Sequence, residues 1–268
     1  MPLLRITWRL PGLLLCLLLA AGHAAAHPED EFCVPGESGL DPALCEALSQ
    51  LDSARPGDAR IAPLMTPDGV QRGALSTAGL YLTIGVRHIL PGGLDHILFV
   101  LALFLAARNT RDLVLQISAF TVAHTATLAM AAAGIVAPPA SVVEPLIAGT
   151  IAFVAVENIA FAGLSRWRVG VVFLFGLVHG LGFAGFFGEL GLPAGQFWSA
   201  LIGFNVGVEV GQLAVVAVAW GIVAALRRRY PAWADLATYR RRLVIPLSAA
   251  IALTGAFWTV ERVVSASG

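Results

Sequence analysis

Four histidines and a set of carboxylates stand in stretches of this chain that are otherwise apolar. "GVRHILPGGLDHILFVLALFLA", from Gly85 to Ala106, places His88, Asp95 and His96 at the mouth of an apolar run. "FTVAHTATLAM" carries His124, "FGLVHGLGFAGFF" carries His179, and "GFNVGVEVGQ" carries Asn205, Glu209 and Gln212. Glu144 and the pair Glu157-Asn158 lie in one further apolar run. Imidazoles with carboxylates are the ligand set of a first-row divalent cation such as nickel, cobalt, zinc or copper. No cysteine falls in these runs, so a thiolate site is excluded there. The candidate metal ligands are His88, Asp95, His96, His124, His179 and Glu209, with Glu144, Glu157, Asn158 and Asn205 as a relay. Asp95 and His96 are neighbours, about 100° apart on a helix, so one orients while the other binds, or each serves a different partner.

Each of these residues also has a plainer reading. His124 can bond to Thr121 or Thr125, or to a neighbouring helix. Glu144, just before Pro145, reads equally as an interfacial carboxylate, and His88, beside Arg87, as an interfacial imidazole. Glu261-Arg262, at the end of the last apolar run, reads as a solvated pair. The case for chemistry is cumulative. A charge at the centre of a spanning helix costs roughly 2.5–3.5 kcal/mol on insertion scales, and this chain places several polar groups at similar depth.

The elements that must hold them are membrane helices. The 268 residues are 57% hydrophobic and 13% charged, against about 25% charged in soluble domains; the mean hydropathy is +0.79. All 17 basic residues are arginine, and the net charge is zero. A nucleic-acid partner therefore has no electrostatic support. The predicted class is all-α, a polytopic helical bundle of about six spans after a cleaved signal peptide. Arg5 and Arg9, an apolar core and Ala24-Ala25-Ala26 define that peptide over residues 1–26; an uncleaved anchor helix is the alternative. Residues 27–74 form a short polar extracytoplasmic segment, too small for a substantial core. In an oxidising compartment its Cys33 and Cys45 are expected to pair, the alternative being two thiols that capture a soft metal. Residues 75–268 form the membrane domain.

Spans are predicted near 92–107, 113–134, 142–164, 169–190, 198–226 and 243–263, most of them near the ~20 residues a bilayer requires. The first is short. Residues 76–90 extend it, lie at the interface or re-enter, with Pro91-Gly92-Gly93 as the break; broken backbone at this depth must be buried in protein or line a cavity. Arg108, Arg111, Arg166, Arg168 and the six arginines of "RRRYPAWADLATYRRR" fall on one side, and the opposite loops hold none. The positive-inside rule makes the arginine side cytoplasmic and the mature N-terminus external, as expected in a bacterial inner membrane. On this topology His124, His179 and Glu209 lie near mid-span. His88, Asp95, His96 and Glu144 form a separate outer group, with Glu157 roughly 6 Å further in than its span's centre.

Glycines mark close helix contacts. Gly176-x-x-x-Gly180, with Gly182, Gly185 and Gly188 beyond it, and the stripe Gly203, Gly207, Gly211 suggest that their two helices pack on each other, which would bring His179 to Glu209. "GLGFAG" lies inside a span and lacks the strand–turn–helix context of a dinucleotide site.

"GVRHILPGGLDHILFVLALFL", "FTVAHTATLAM", "VEPLIAGTIAFVAVENI" and "FLFGLVHGLGFAG" together resemble the HupE/UreJ family, in its second, looser branch, over about residues 80–225. The resemblance implies a nickel or cobalt permease associated with hydrogenase and urease maturation. Gly93-Leu94-Asp95-His96 matches the family's first-helix pattern, with His88 standing for the leading histidine one residue further away. Of a second pattern with two histidines and a glutamate around His-Gly, only His179-Gly180 is present, and Glu189 is too far along to stand in. His124 or Glu209 would then supply the missing ligands from other helices. The expected function is a secondary permease for a divalent metal, nickel or cobalt first, with zinc or copper as further options. Its partners would be the bilayer, the ion, and a second copy of the chain or other uptake components. The alternatives are an intramembrane metal-dependent hydrolase, for which a base within a motif such as H-E-x-x-H is lacking, and a non-transporting accessory protein.

Overall fold

The computed structural model describes residues 73–107, 109–163, 167–182 and 195–267. The signal peptide, the polar segment up to residue 72, the Cys33–Cys45 pairing, Gly185, Gly188 and Glu189 lie outside those residues. The described helices are α1 (Ala74–Ile89), α2 (Leu94–Ala106), α3 (Thr110–Ala132), α4 (Ala140–Ala160), α5 (Arg168–Gly182) and α6 (Phe197–Arg229). A 3₁₀ turn, Pro231–Ala234, leads to α7 (Leu236–Tyr239), which runs through a π-helical stretch, Arg240–Val244, into α8 (Ile245–Ser267). No strand occurs among the described residues.

Helices α3, α4, α6 and the continuous α7–α8 are each long and apolar enough to cross a bilayer. Helices α1 and α2 are long and apolar enough only when taken together, with a 71° bend at their break, as in a broken span or a re-entrant loop, and α5 is a shorter apolar helix. The chain is thus an all-helical, multi-pass membrane bundle. Large apolar side chains such as Val122, Phe153, Val218, Leu253 and Val260 are exposed on its outer faces, where lipid rather than water is the compatible solvent. Asn109 starts α3 by accepting a hydrogen bond from the Asp112 amide at 2.8 Å, and Arg227, Arg228 and Arg229 end α6, where the helix dipole favours cations.

The bundle is built from three close helix pairs, α1 with α6, α3 with α5, and α4 with α8. Glycines permit each approach. A Cβ at Gly203 or Gly207 would strike the carbonyl of Ala78 or Leu82 on α1, and one at Gly85 the carbonyl of Phe204. One at Gly176 or Gly180 would strike the carbonyl of Phe120 or His124 on α3, and one at Gly255 the backbone of α4 at Ala152. The glycines do mark close contacts, but the two expected partners do not meet through them: the α6 stripe serves α1 and the α5 glycines serve α3. Small residues announce how near a neighbour lies, not which neighbour it is.

Helix α2 lies between α4 and α6, with His96, Leu98, Phe99, Val100, Ala102, Leu103 and Leu105 all buried. A helix covered on every side is apolar on every side. At 13 residues it is roughly 20 Å long, too short to cross a bilayer by itself.

One end of the bundle, carrying the arginine-rich connections, is locked by a buried network. Arg168 donates to Gln116 Oε1, Glu157 Oε2 and Asn158 Oδ1, each at 2.9 Å. Asn158 donates in turn to the Ala102 carbonyl at 2.8 Å and to Ser248 Oγ at 3.3 Å. Arg240 caps the end of α4 through the carbonyls of Asn158 and Ile159, at 2.7 and 2.8 Å. The sequence counts Arg168 as a loop charge, yet only 2% of its side chain is exposed. It begins α5 and turns inward because Glu157 and two amides are there to receive all three nitrogens.

Candidate metal centre

The site begins at the break between α1 and α2. His88 lies in the last turn of α1 and His96 in the first turn of α2. Between them a Cβ at Gly93 would overlap the His88 carbonyl oxygen, so glycine is what lets the chain double back this tightly. The two rings then meet at 4.8 Å between centroids. His96 also lies 5.1 Å from His179 on α5 and 6.0 Å from His124 on α3. The contact at Gly180 sets α5 against the His124 backbone, which aligns these last two histidines.

Four helices therefore bring four imidazoles into one cluster with His96 at its centre. The two histidines expected in the outer group, His88 and His96, thus lie beside the two expected near mid-span, while Asp95 and Glu144 stay together through Arg262. Phe99, Phe120 and Phe204, all essentially unexposed, wall the cluster. Phe120 stacks on His124 at 5.9 Å and stands edge-on to His179 at 5.1 Å. Phe99 lies 5.0 Å from His179, and Phe204 lies 5.6 Å from His88.

Two of the cluster's nitrogens, His124 Nδ1 and His179 Nε2, face polar side chains of neighbouring helices. Asn205 gives its amide hydrogen to the Leu201 carbonyl at 2.8 Å. Its Oδ1 faces Thr125 Oγ1 at 2.7 Å and His124 Nδ1 at 3.4 Å. His179 Nε2 lies 2.8 Å from Thr150 Oγ1, whose hydroxyl donates to the Ile147 carbonyl at 2.7 Å. His96 Nε2, His124 Nε2 and His179 Nδ1 are buried without a hydrogen-bond partner. Buried polar atoms are rarely left this way, and here three of them occur in one cluster.

The acids are distributed differently. Asp95 turns away from the cluster and pairs with Arg262, at 2.9 and 3.3 Å; Arg262 also donates to the Glu144 carbonyl at 3.0 Å. Arg262 is therefore not the solvated partner of Glu261 that the sequence suggests, because α8 packs on α4 and carries it to the start of α2. The Glu144 side chain makes no hydrogen bond or ion pair among the described residues. Glu157 and Asn158 belong to the Arg168 network. Glu209, half-buried, follows Asn205 by one turn of α6 and has no ion-pair partner among the described residues. Sequence reasoning passes over Thr150 and Gln116 and reads Arg262 only as a solvated charge. Thr150 carries one usable signal, a hydroxyl in the middle of "EPLIAGTIAF".

The sequence matches the HupE/UreJ protein family over residues 67–262. The chain belongs to the HupE/UreJ family. That family match takes in α1 through α7 and most of α8, including all four clustered histidines, and it carries a general association with metal transport. No curated protein and no solved structure matches this HupE/UreJ chain. Among its described residues, no three His, Cys, Asp or Glu side chains are arranged to hold a metal ion as they stand. The ring spacing is nonetheless close to what shared coordination needs. Imidazoles bound to one tetrahedral ion at about 2.1 Å have ring centres roughly 5 Å apart, against 4.8–6.0 Å from His96 to the other three rings.

Proposed function

We propose that this protein is a secondary permease for a divalent transition metal, nickel or cobalt first, which passes the ion through the four-histidine cluster. The observation that carries this reading is the set of three buried, unpartnered imidazole nitrogens on α2, α3 and α5. Neutral imidazole nitrogen suits nickel, cobalt, zinc and copper, and a dry phenylalanine wall strips the ion of water. His88 and His96 receive the ion at the break in the first span, and His96, His124 and His179 hold it. Asp95 draws the cation toward the entrance when Arg262 releases it.

Four neutral rings leave two positive charges uncompensated in an apolar interior, which is costly. Glu209, like Glu144, has no ion-pair partner among the described residues, and it lies on α6 one turn beyond Asn205 toward the arginine-rich end, so it takes the ion next. Glu157, clasped by Arg168, closes that end until the network opens. The positive-inside rule places the arginine-rich end in the cytoplasm, in a bacterial inner membrane, and the ion then moves inward.

The test is uptake into proteoliposomes of nickel, cobalt, zinc and copper, offered in turn to wild type, His124→Ala and His179→Ala. Saturable uptake lost in both folded variants supports the permease and names its ion. Tight binding through the same histidines without flux of any ion overturns it in favour of a metal-dependent hydrolase or an accessory protein.

A further inference from the structure

We infer that Thr150 and Asn205 are positioning residues that select which nitrogen of His179 and of His124 is offered to an ion: Nδ1 of His179 and Nε2 of His124. This rests on the proposed metal path, but its first measurement needs no metal.

For His179 the assignment follows from counting protons. A threonine hydroxyl has one hydrogen and two lone pairs. Thr150 lies within hydrogen-bond distance of two groups, the Ile147 carbonyl at 2.7 Å and His179 Nε2 at 2.8 Å. The carbonyl can only accept, so the hydroxyl donates there and accepts from an N–H on Nε2. The opposite arrangement would spend the hydroxyl hydrogen on Nε2, lose the bond to Ile147, and strand a buried N–H on Nδ1, which has no partner. Orphaned buried N–H groups are rarer than orphaned acceptors. The proton therefore sits on Nε2, and the lone pair on Nδ1 faces the cluster unpartnered.

For His124 the chain of assignments starts at Leu201. Its carbonyl can only accept, so the Asn205 atom 2.8 Å from it is the amide nitrogen and Oδ1 faces His124 Nδ1 at 3.4 Å; Thr125 shares its one hydrogen between Oδ1 and the Thr121 carbonyl, each at 2.7 Å. Two acceptors cannot bond, so His124 Nδ1 carries the proton and Nε2 holds the lone pair. The two ligands thus present different nitrogens because their partners stand on different sides. Thr150 reaches the far nitrogen of His179 from α4, and Asn205 reaches the near nitrogen of His124 from α6. Such hydrogen-bonded partners of a ligating imidazole fix its tautomer and orientation.

The experiment is ¹⁵N spectroscopy of histidine-labelled full-length protein in nanodiscs, with wild type, Thr150→Ser and Thr150→Val, first metal-free and then with Zn²⁺. Expected in metal-free wild type are a protonated Nε2 on His179 and a protonated Nδ1 on His124. Thr150→Ser keeps this pattern, while Thr150→Val shifts His179 toward a mixture and weakens Zn²⁺ binding by roughly 10- to 100-fold. Bound Zn²⁺ moves the resonances of His179 Nδ1 and His124 Nε2. A proton on Nδ1 of His179 in metal-free wild type overturns the inference, and so does a Thr150→Val variant with unchanged tautomer and affinity. If Thr150→Val does not fold, wild type and Thr150→Ser still decide the tautomer. Correct tautomers with no bound ion count against the permease alone.

Discussion

Arg262, near the end of the last helix, holds both carboxylate oxygens of Asp95, the residue immediately before His96. A side chain of α8 thereby occupies the carboxylate next in sequence to His96, and on the proposed ion path the guanidinium would stand where an incoming cation is drawn. Replacing Arg262 with Gln frees that carboxylate. The half-saturating metal concentration for uptake should fall, while the thermal midpoint drops with a loss of about 1–3 kcal/mol. Asp95→Asn should raise half-saturation. Equal half-saturation in both variants and wild type would reduce the pair to a clamp between helices.

His96 touches all three other histidine rings, whereas His88 packs at the edge of the cluster against His96 and Phe204. Removing the hub should cost more than removing the rim. Calorimetric titration with nickel should show His96→Ala losing binding to background and His88→Ala retaining a weakened site. The reverse order would place the ion elsewhere.

Gly180 and Gly170 lie on the same helix with opposite surroundings. A Cβ at Gly180 meets Thr127 and the His124 carbonyl, and one at Gly170 meets nothing within 4 Å. Gly180→Val should force α5 off α3, with an overpacking cost of about 1–3 kcal/mol, and should abolish metal binding. Gly170→Ala should be neutral or stabilising, since alanine is the better helix former by about 1 kcal/mol. Unfolding in detergent, followed by circular dichroism, distinguishes them; equal stabilities would contradict the close α3–α5 contact.

The Arg168 network tests burial of charge directly. Arg168→Met leaves Glu157, only 12% exposed, without its cation, and breaking a buried pair from one side costs about 3–5 kcal/mol. The double variant Arg168→Met, Glu157→Gln should recover part of that loss. Chemical unfolding of the single and double variants measures it, and additive losses would mean that the two side chains act independently.

Hydropathy and arginine placement make the spans legible in the amino-acid sequence, because a bilayer leaves few alternatives for a polar backbone. The four histidines stand out there for a related reason, since polar side chains are costly in such helices. What the sequence hides is partners. Nothing in "FGLVHGLG" says that His179 faces Thr150, as the two residues lie on different helix pairs. Arg262 reads as an ordinary terminal charge until α8 is laid against α4. Arg168 illustrates the same limit from the other side. A loop arginine and a buried one differ only in what stands opposite, and that is a property of the packing.

The three glycine-stitched helix pairs carry a mechanical consequence. His88 rides on one stave, α1 with α6, while His124 and His179 ride together on another, α3 with α5; His96 sits on the short helix α2, packed between α6 and α4. Within a stave, backbone lies on backbone and there is no room for play. Between staves the contacts are side chains, which can slide. A rocking of one stave against the other would thus leave the His124–His179 spacing untouched while changing the reach of His88, so that the number of nitrogens around an ion becomes a gauge of how far the bundle has tipped.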